Sequence, residues 1–170
     1  MNALIKNTLL IMVASSMSWA VQATNINIAG NVVASACNVD SGSVSQDVDF
    51  GQLRSTDLKE AGTATDWKPF TVKLTHCPLS TSKVTVTFSG SPSTDGADLF
   101  ANSGTAKNVA VQVVQDANKA LVQGNGSRMT INVDAQHEAI YALAGRIYSV
   151  NGDTVAGTLS SVLVMNFTYQ

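Results

Sequence analysis

Two cysteines and two histidines are the most reactive side chains of this 170-residue chain. A thiolate–imidazole nucleophile could be assembled from His76 and Cys77 only if that cysteine were free. Two cysteines without clustered histidines cannot complete a tetrahedral zinc site. In an oxidising compartment, a disulfide between Cys37 and Cys77 is the better explanation of the pair. Two free buried thiols are the alternative.

The carboxylates offer little further chemistry. Asp47 and Asp49 share one face of a weakly alternating segment, which could bring two carboxylates together for acid–base catalysis, but such a pair is more typical of a solvated face. Asp95, Asp98 and Asp153 lie in loop-like sequence without the ligand spacing of a calcium loop. The net charge is −2, and the absence of a basic patch argues against a nucleic-acid partner. The sequence therefore predicts no enzyme, no metal and no cofactor.

The N-terminus has the features of an export signal. One lysine precedes the apolar run 9–14, which is too short to span a bilayer. Small residues follow and allow cleavage after Ala20 or after Ala23; we favour Ala23. Residues 1–23 are then predicted to be a signal peptide and residues 24–170 the mature chain, with no membrane anchor. A buried N-terminal helix is the alternative.

Alternation of apolar and polar residues with a period of two dominates the mature chain and is typical of half-buried strands. Loop signals such as Asn125-Gly126 separate the runs, because Asn and Gly accept positive φ at little cost. Only residues 56–61 indicate a helical turn. Many short strands separated by turns predict an all-β sandwich in one domain. The predicted strands are residues 24–32, 44–50, 70–76, 84–88, 109–114, 129–133, 140–150 and 159–169.

The two ends of the mature chain are unusual. In the last strand, Leu163, Met165, Phe167 and Tyr169 share one face, and no strand follows to cover it. We therefore expect a hydrophobic groove or an unpaired edge there, which is a template for pairing with another chain. The first mature segment, residues 24–32, also alternates. Patterning alone favours an ordinary first strand, although such a segment could also leave and pair elsewhere.

Five segments, in order along the mature chain, resemble the type 1 fimbrial pilins of the chaperone–usher pathway. Residues 30–39 resemble the family's opening, in which a glycine and valines run into the first cysteine. Residues 48–53 are similar to its V-x-L-G-Q-V stretch, and 70–78 to the strand that ends in the second cysteine and a proline. Residues 108–113 resemble its N-V-G-V-Q-I strand. Residues 167–170 share its penultimate tyrosine.

The resemblance implies an incomplete immunoglobulin-like β-sandwich that lacks its last strand and is completed by donor-strand exchange. It further implies that residues 24–32 are an N-terminal donor-strand extension. Ile26, Ile28 and Val32 would then be the donor side chains, and Gly30 would occupy the family's tight glycine position.

The resemblance also implies the partners. A periplasmic fimbrial chaperone would pair with the last strand, an outer-membrane usher would exchange it, and neighbouring pilin subunits would complete the fibre. The chain would be exported through the periplasm to the cell surface and act as a structural subunit, shaft or adaptor, of an adhesive fimbria. The residues that the chaperone and the donor strand would contact are Leu163, Met165, Phe167, Tyr169 and Gln170.

Two other functions are compatible with a small exported β-domain. A tip adhesin would bind a receptor itself; such subunits carry an additional binding domain and no donor extension. A self-complete secreted β-domain that binds a small ligand would fold as a stable monomer without a chaperone.

Overall fold

The computed structural model describes residues 26–30, 32 and 34–170. The predicted signal peptide, residues 1–23, lies outside the described residues. Residues 26–30 belong to a separate unit from residues 32–170. They adopt neither helix nor strand, and the side chains of Ile26 and Ile28 are 79% and 93% exposed. The strand predicted for this segment is therefore not formed over residues 26–30.

Residues 32–170 form a two-sheet structure in which one sheet has eight strands and the other three. The larger sheet has the order β1-β3-β10-β7-β6-β5, with β2 added to β10 and β8 to β7. The smaller sheet has the order β11-β4-β9, and all strand pairs are antiparallel. The strands are β1 (Asn38–Val39), β2 (Thr63–Ala64), β3 (Lys68–Thr75), β4 (Lys83–Gly90), β5 (Pro92–Ser93), β6 (Gly96–Ala101), β7 (Ala110–Gln115), β8 (Asn118–Val122), β9 (Arg128–Asn132), β10 (Ala139–Ser149) and β11 (Leu163–Tyr169).

The core follows from the alternation in the sequence. Every second residue of β4 is fully buried, and the same pattern in β3 and β10 supplies the opposing layer. Apolar side chains that alternate along a strand point to one face, so the two sheets bury their inner faces against each other. The largest fully buried apolar side chains are Tyr141, Phe88, Phe100, Leu74, Leu143 and Ile147.

Short helical segments and a disulfide complete the domain. Helix α1 (Ser41–Val44) begins after Asp40, whose carboxylate accepts a hydrogen bond from the amide of Gly42 at 3.0 Å and so caps the helix. A 3-10 turn covers residues 55–58, close to the predicted helical turn. Cys37 and Cys77 are both buried and form a disulfide, which confirms the predicted bond. It ties the chain just before β1 to the chain just after β3.

Several predicted strand boundaries were wrong. Residues 44–50 form no strand, since only the end of α1 and irregular backbone occupy this segment. Residues 159–162 are likewise irregular, so the last strand starts at Leu163. Strands β6 and β8 were not anticipated. Among the described residues, no helix is long and apolar enough to cross a membrane.

Tyr141 places a titratable group at the centre of this core. Its hydroxyl donates a hydrogen bond to the carbonyl of Val84 at 2.8 Å, and its ring lies 5.6 Å from that of Phe167. Burial, with a smaller contribution from the nearby Tyr169, raises the pKa of Tyr141, and burial raises the pKa of Tyr169. Both hydroxyls therefore resist ionisation in the folded protein but not in the unfolded chain.

These shifts predict loss of stability at alkaline pH. A raised folded-state pKa stabilises the fold fully below the unfolded value of about 10, and this stability is lost as the pH rises further. Above that point, each such tyrosine lowers the free energy of unfolding by up to about 1.4 kcal/mol per pH unit. Urea unfolding from pH 8 to pH 11 should show a shallower alkaline decline for Tyr141→Phe than for the wild type. Equal slopes would contradict the argument.

Candidate functional site

The most prominent concave feature in the described domain is a groove of about 740 Å³ beside β11. One side is formed by residues 159–167 and the other by residues 43–50. Its floor is made of side chains from β3, β6 and β7 that belong to, or pack against, the hydrophobic core. The apolar floor residues are Phe70, Val72, Phe100, Val111 and Val113. Val72, Phe100 and Val113 are buried, whereas Phe70 and Val111 are partly exposed, so the groove leaves only part of this core surface uncovered.

The first wall of the groove is the free edge of β11. This strand pairs only with β4 among the described strands. Gln170 and Lys83 exchange both of their backbone hydrogen bonds, each at 2.9 Å, so they form a hydrogen-bonded pair of the ladder. Such pairs alternate along an antiparallel ladder. With the observed register, the backbone groups that point away from β4 are those of Leu163, Met165, Phe167 and Tyr169.

Strand β11 therefore offers two things at one edge. The four residues whose N–H and C=O groups face the groove are also those whose side chains are half-buried against the core. The residues between them, Val164, Asn166 and Thr168, are exposed and bond back to β4. An incoming strand would find a row of unpaired backbone groups beside apolar side chains that are only half-buried.

The opposite wall is the irregular segment 46–50, whose backbone makes no backbone hydrogen bond to another segment of the described domain. The segment is nevertheless anchored at both ends. On one side, the hydroxyl of Ser43 accepts a hydrogen bond from the amide of Lys73 at 3.0 Å. On the other, the ammonium of Lys68 donates to the carbonyl of Asp49. The second wall is thus held in place, and the carbonyl of Asp49 is the one backbone group of residues 46–50 that these two contacts use.

A second cavity of about 550 Å³ shares residues 48–50 and Leu159 with the first. It continues toward a small core cluster of Leu58, Val109 and Ile147. Phe50 lines both cavities, and its ring stands opposite Gly145, where an added Cβ would lie 3.3 Å from the ring. The absence of a side chain at Gly145 makes room for this ring at the junction of the two cavities.

The predicted site residues fall into two groups. The structure places Leu163, Met165 and Phe167 along the groove, whereas Tyr169 packs on the core beyond it. Gln170 is exposed, and its carbonyl accepts hydrogen bonds from the amides of Ser82 and Lys83.

The predicted donor side chains are exposed to solvent. Ile26 and Ile28 are exposed, and Val32 is fully exposed. Gly30 has no atom within 4 Å of an added Cβ. These apolar side chains therefore have no packing partners in the described part of the chain.

The floor of the groove and residue Leu159 were not assigned to the site from the sequence. Alternation placed Phe70, Val72, Val111 and Val113 on the faces of predicted strands, whereas Phe100 lies outside every predicted strand. Nothing in a strand's own pattern tells whether a neighbour covers it. Of the other chemical candidates, the cysteines are already engaged, whereas two carboxylates lie at the groove. Cys77 is bonded to Cys37, and the Nδ1 atom of His76 lies 3.1 Å from the hydroxyl of Thr75. Asp47 and Asp49 line the groove wall.

An antiparallel sandwich with a free edge strand, an unpaired facing segment and uncovered core between them is an incomplete immunoglobulin-like fold, the architecture of a pilin. The family model described as "Fimbrial protein" matches residues 26–170. This chain belongs to the fimbrial protein family, and it is a structural subunit of a fimbria that is exported to the cell surface.

Relatives and solved structures agree with this assignment. Protein FimG of Escherichia coli K12 is 35% identical over 155 residues, which cover 89% of each chain. The crystal structure of the P pilus rod subunit PapA superposes with a TM-score of 0.66 at 23% identity, covering 79% of this chain and 99% of that one. The structural match establishes the fold.

A third relative bears on the adhesin alternative. The S-fimbrial adhesin protein SfaS of Escherichia coli O6:K15:H31 is 34% identical over 146 residues, covering 86% of this chain and 85% of that one. A relative named as an adhesin thus has nearly the same length as this chain. An additional binding domain is therefore not present in every relative named as an adhesin.

Proposed function

We propose that the groove beside β11 binds an extended segment from a neighbouring subunit, and that residues 24–32 are the segment this chain supplies in turn. The observation that carries the proposal is the coincidence, in Leu163, Met165 and Phe167, of unpaired backbone groups with uncovered apolar side chains. An edge strand with these properties favours addition of a further strand.

The two segments match in length and pattern. Strand β11 has seven residues, and residues 24–32 would extend over about 30 Å at roughly 3.3 Å per residue. In an extended conformation, Ile26, Ile28 and Val32 point to one face. Burying each of these side chains is worth roughly 1.5–3 kcal/mol, and each new ladder hydrogen bond adds about 1 kcal/mol. The sum favours a long-lived complex over the open groove.

The same reasoning supports a temporary occupant before assembly. A subunit with uncovered core and a free edge would aggregate in the periplasm. A periplasmic chaperone that lends a strand to β11 would protect it, and an outer-membrane usher would be the place where a subunit's N-terminal segment replaces that strand. Membership of the fimbrial protein family supports these partners.

A synthetic peptide of residues 24–33 tests the acceptor role. Added to the oxidised, refolded full chain, the peptide should raise the melting temperature. At 100 times its dissociation constant it stabilises by about 2.7 kcal/mol, which corresponds to roughly 5–11 °C for a domain of this size. The same peptide with Ile28→Asp is the control, because a buried carboxylate would oppose binding. Equal shifts with both peptides, or none with either, would overturn the proposal.

A further inference from the structure

The segment that leads into β11 has no strand of its own to hold it. Residues 155–162 are irregular apart from one isolated bridge between Val155 and Lys107. Yet Leu159 lines both cavities, and residues 160–162 line the larger one. The shape of one end of the groove therefore depends on whatever fixes this segment.

Asn102 contacts this segment at two residues, Thr158 and Ser160. Its Oδ1 atom accepts hydrogen bonds from the amides of Ser160 at 2.8 Å and Gly104 at 2.9 Å. Its Nδ2 atom donates to the carbonyls of Ala106 at 3.0 Å and Thr158 at 3.2 Å. One half-buried side chain thus bonds two backbone groups of its own loop and two of the segment before β11.

Neighbouring residues reinforce the same junction. The amide and the hydroxyl of Ser103 donate to the carbonyl of Ser160 at 2.8 and 2.9 Å. The amides of Thr105 and Thr158 each donate to the other residue's hydroxyl, at 3.0 and 2.8 Å. At Gly104, an added Cβ would lie 2.1 Å from the carbonyl oxygen of Thr158, so only glycine permits this approach.

We propose that Asn102 is a positioning residue for strand acceptance: it fixes the register of residues 158–160, and thereby which of their backbone groups face the groove. A slip of one residue in an extended segment would turn every side chain to the other face. Leu159 packs on the small core cluster in any case, so apolar packing fixes its burial, whereas the hydrogen bonds of Asn102 fix which backbone atoms face the groove. This inference rests on the proposed function.

The test compares three peptides on the full chain: residues 24–33, and the same peptide shortened to 26–33 or to 24–29. In Asn102→Ala, the 24–33 peptide should bind roughly tenfold more weakly, because the loosened segment must be ordered again when the peptide binds. Of the two shortened peptides, only the one that reaches Leu159 should lose affinity to the same extent. The other shortened peptide should bind as in the wild type. Asn132→Ala, an exposed amide on β9, is the matched control.

A purely structural role predicts a different result. A lower folded fraction reduces the apparent affinity of every peptide by one common factor. A uniform loss, or no loss, in Asn102→Ala would overturn the inference while leaving the proposed function intact. If Asn102→Ala does not fold, Ser103→Ala, which removes only the 2.9 Å bond to Ser160, must show the same selectivity in weaker form. Failure of all peptides on the wild type would instead overturn the proposed function.

Discussion

Replacing Met165 with proline is expected to abolish capture of a donor strand while leaving the unoccupied domain folded. The amide of Met165 points away from β4, so a proline there removes no hydrogen bond of the existing sheet. Proline is tolerated in an edge strand when its missing N–H would face solvent. An added strand, however, would lose a ladder bond of about 1 kcal/mol and meet the pyrrolidine ring. Affinity for the 24–33 peptide should fall by well over tenfold, measured by fluorescence anisotropy.

Two variants isolate the backbone effect. Met165→Ala removes the same side chain but keeps the amide, so it should still bind the peptide, with an affinity reduced only by the lost packing. Asn166→Pro, one residue along, removes an amide that points to β4, and it should damage the sheet itself. If Met165→Pro bound the peptide as well as Met165→Ala does, the free edge of β11 would not be the acceptor.

Removal of residues 24–32 is expected to stop fibre growth without impairing the acceptor groove. A subunit that can receive a strand but cannot supply one should accumulate as a one-to-one complex with the chaperone, or as the last member of a short chain. Unheated gels should show denaturant-resistant ladders for the full chain and none for the deletion. Surface fibres should be absent by electron microscopy.

A pair of point variants sharpens this experiment. Ile28→Asp places a carboxylate on the face that we expect to be buried, which costs several kcal/mol. Asn27→Asp introduces the same charge one residue earlier, on the opposite face. Only Ile28→Asp should prevent ladder formation. Ladders of equal length in the deletion and the full chain, or equal losses in the two point variants, would count against the donor role of this segment.

Alternation in the sequence predicted burial more reliably than it predicted pairing. Alternation located the core strands β3, β4, β7 and β10, because a strand with apolar residues on one face must bury that face. Residues 44–50 also alternate, but they form a wall of the groove with no neighbouring strand. Only Val48 and Phe50 are half-buried, and Val44 is 71% exposed, so alternation marks neither a ladder nor a continuous buried face in this segment.

In the proposed donor segment, too, alternation does not reveal the pairing partner. Residues 26–30 have the pattern of a strand, yet a single strand without neighbours is not stable in water. A segment that pairs only with another molecule, as we propose for residues 24–32, would leave no regular structure in the isolated chain. The resemblance to fimbrial pilins, and not periodicity, was the basis for assigning this segment.

Strands β6 and β8 were missed for local reasons. The turn signals around residues 91–96 suggested a long loop, which hid the start of β6 at Gly96. Leu99 and Phe100 are adjacent and both buried, so the strand is covered on both faces and does not alternate there. The Asn102 junction could not be foreseen, because its partners in residues 158–160 lie more than fifty positions along the chain.

The disulfide has a mechanical consequence for a fibre under load. In the fibre that we propose, tension through residues 24–32 would reach Cys37, directly ahead of β1, which has only two residues and would peel off easily. The covalent bond to Cys77 would pass that tension to the end of β3, which pairs with β10 over seven residues. Pulling would then have to break this longer ladder, so the link between subunits would bear force that β1 alone would not withstand.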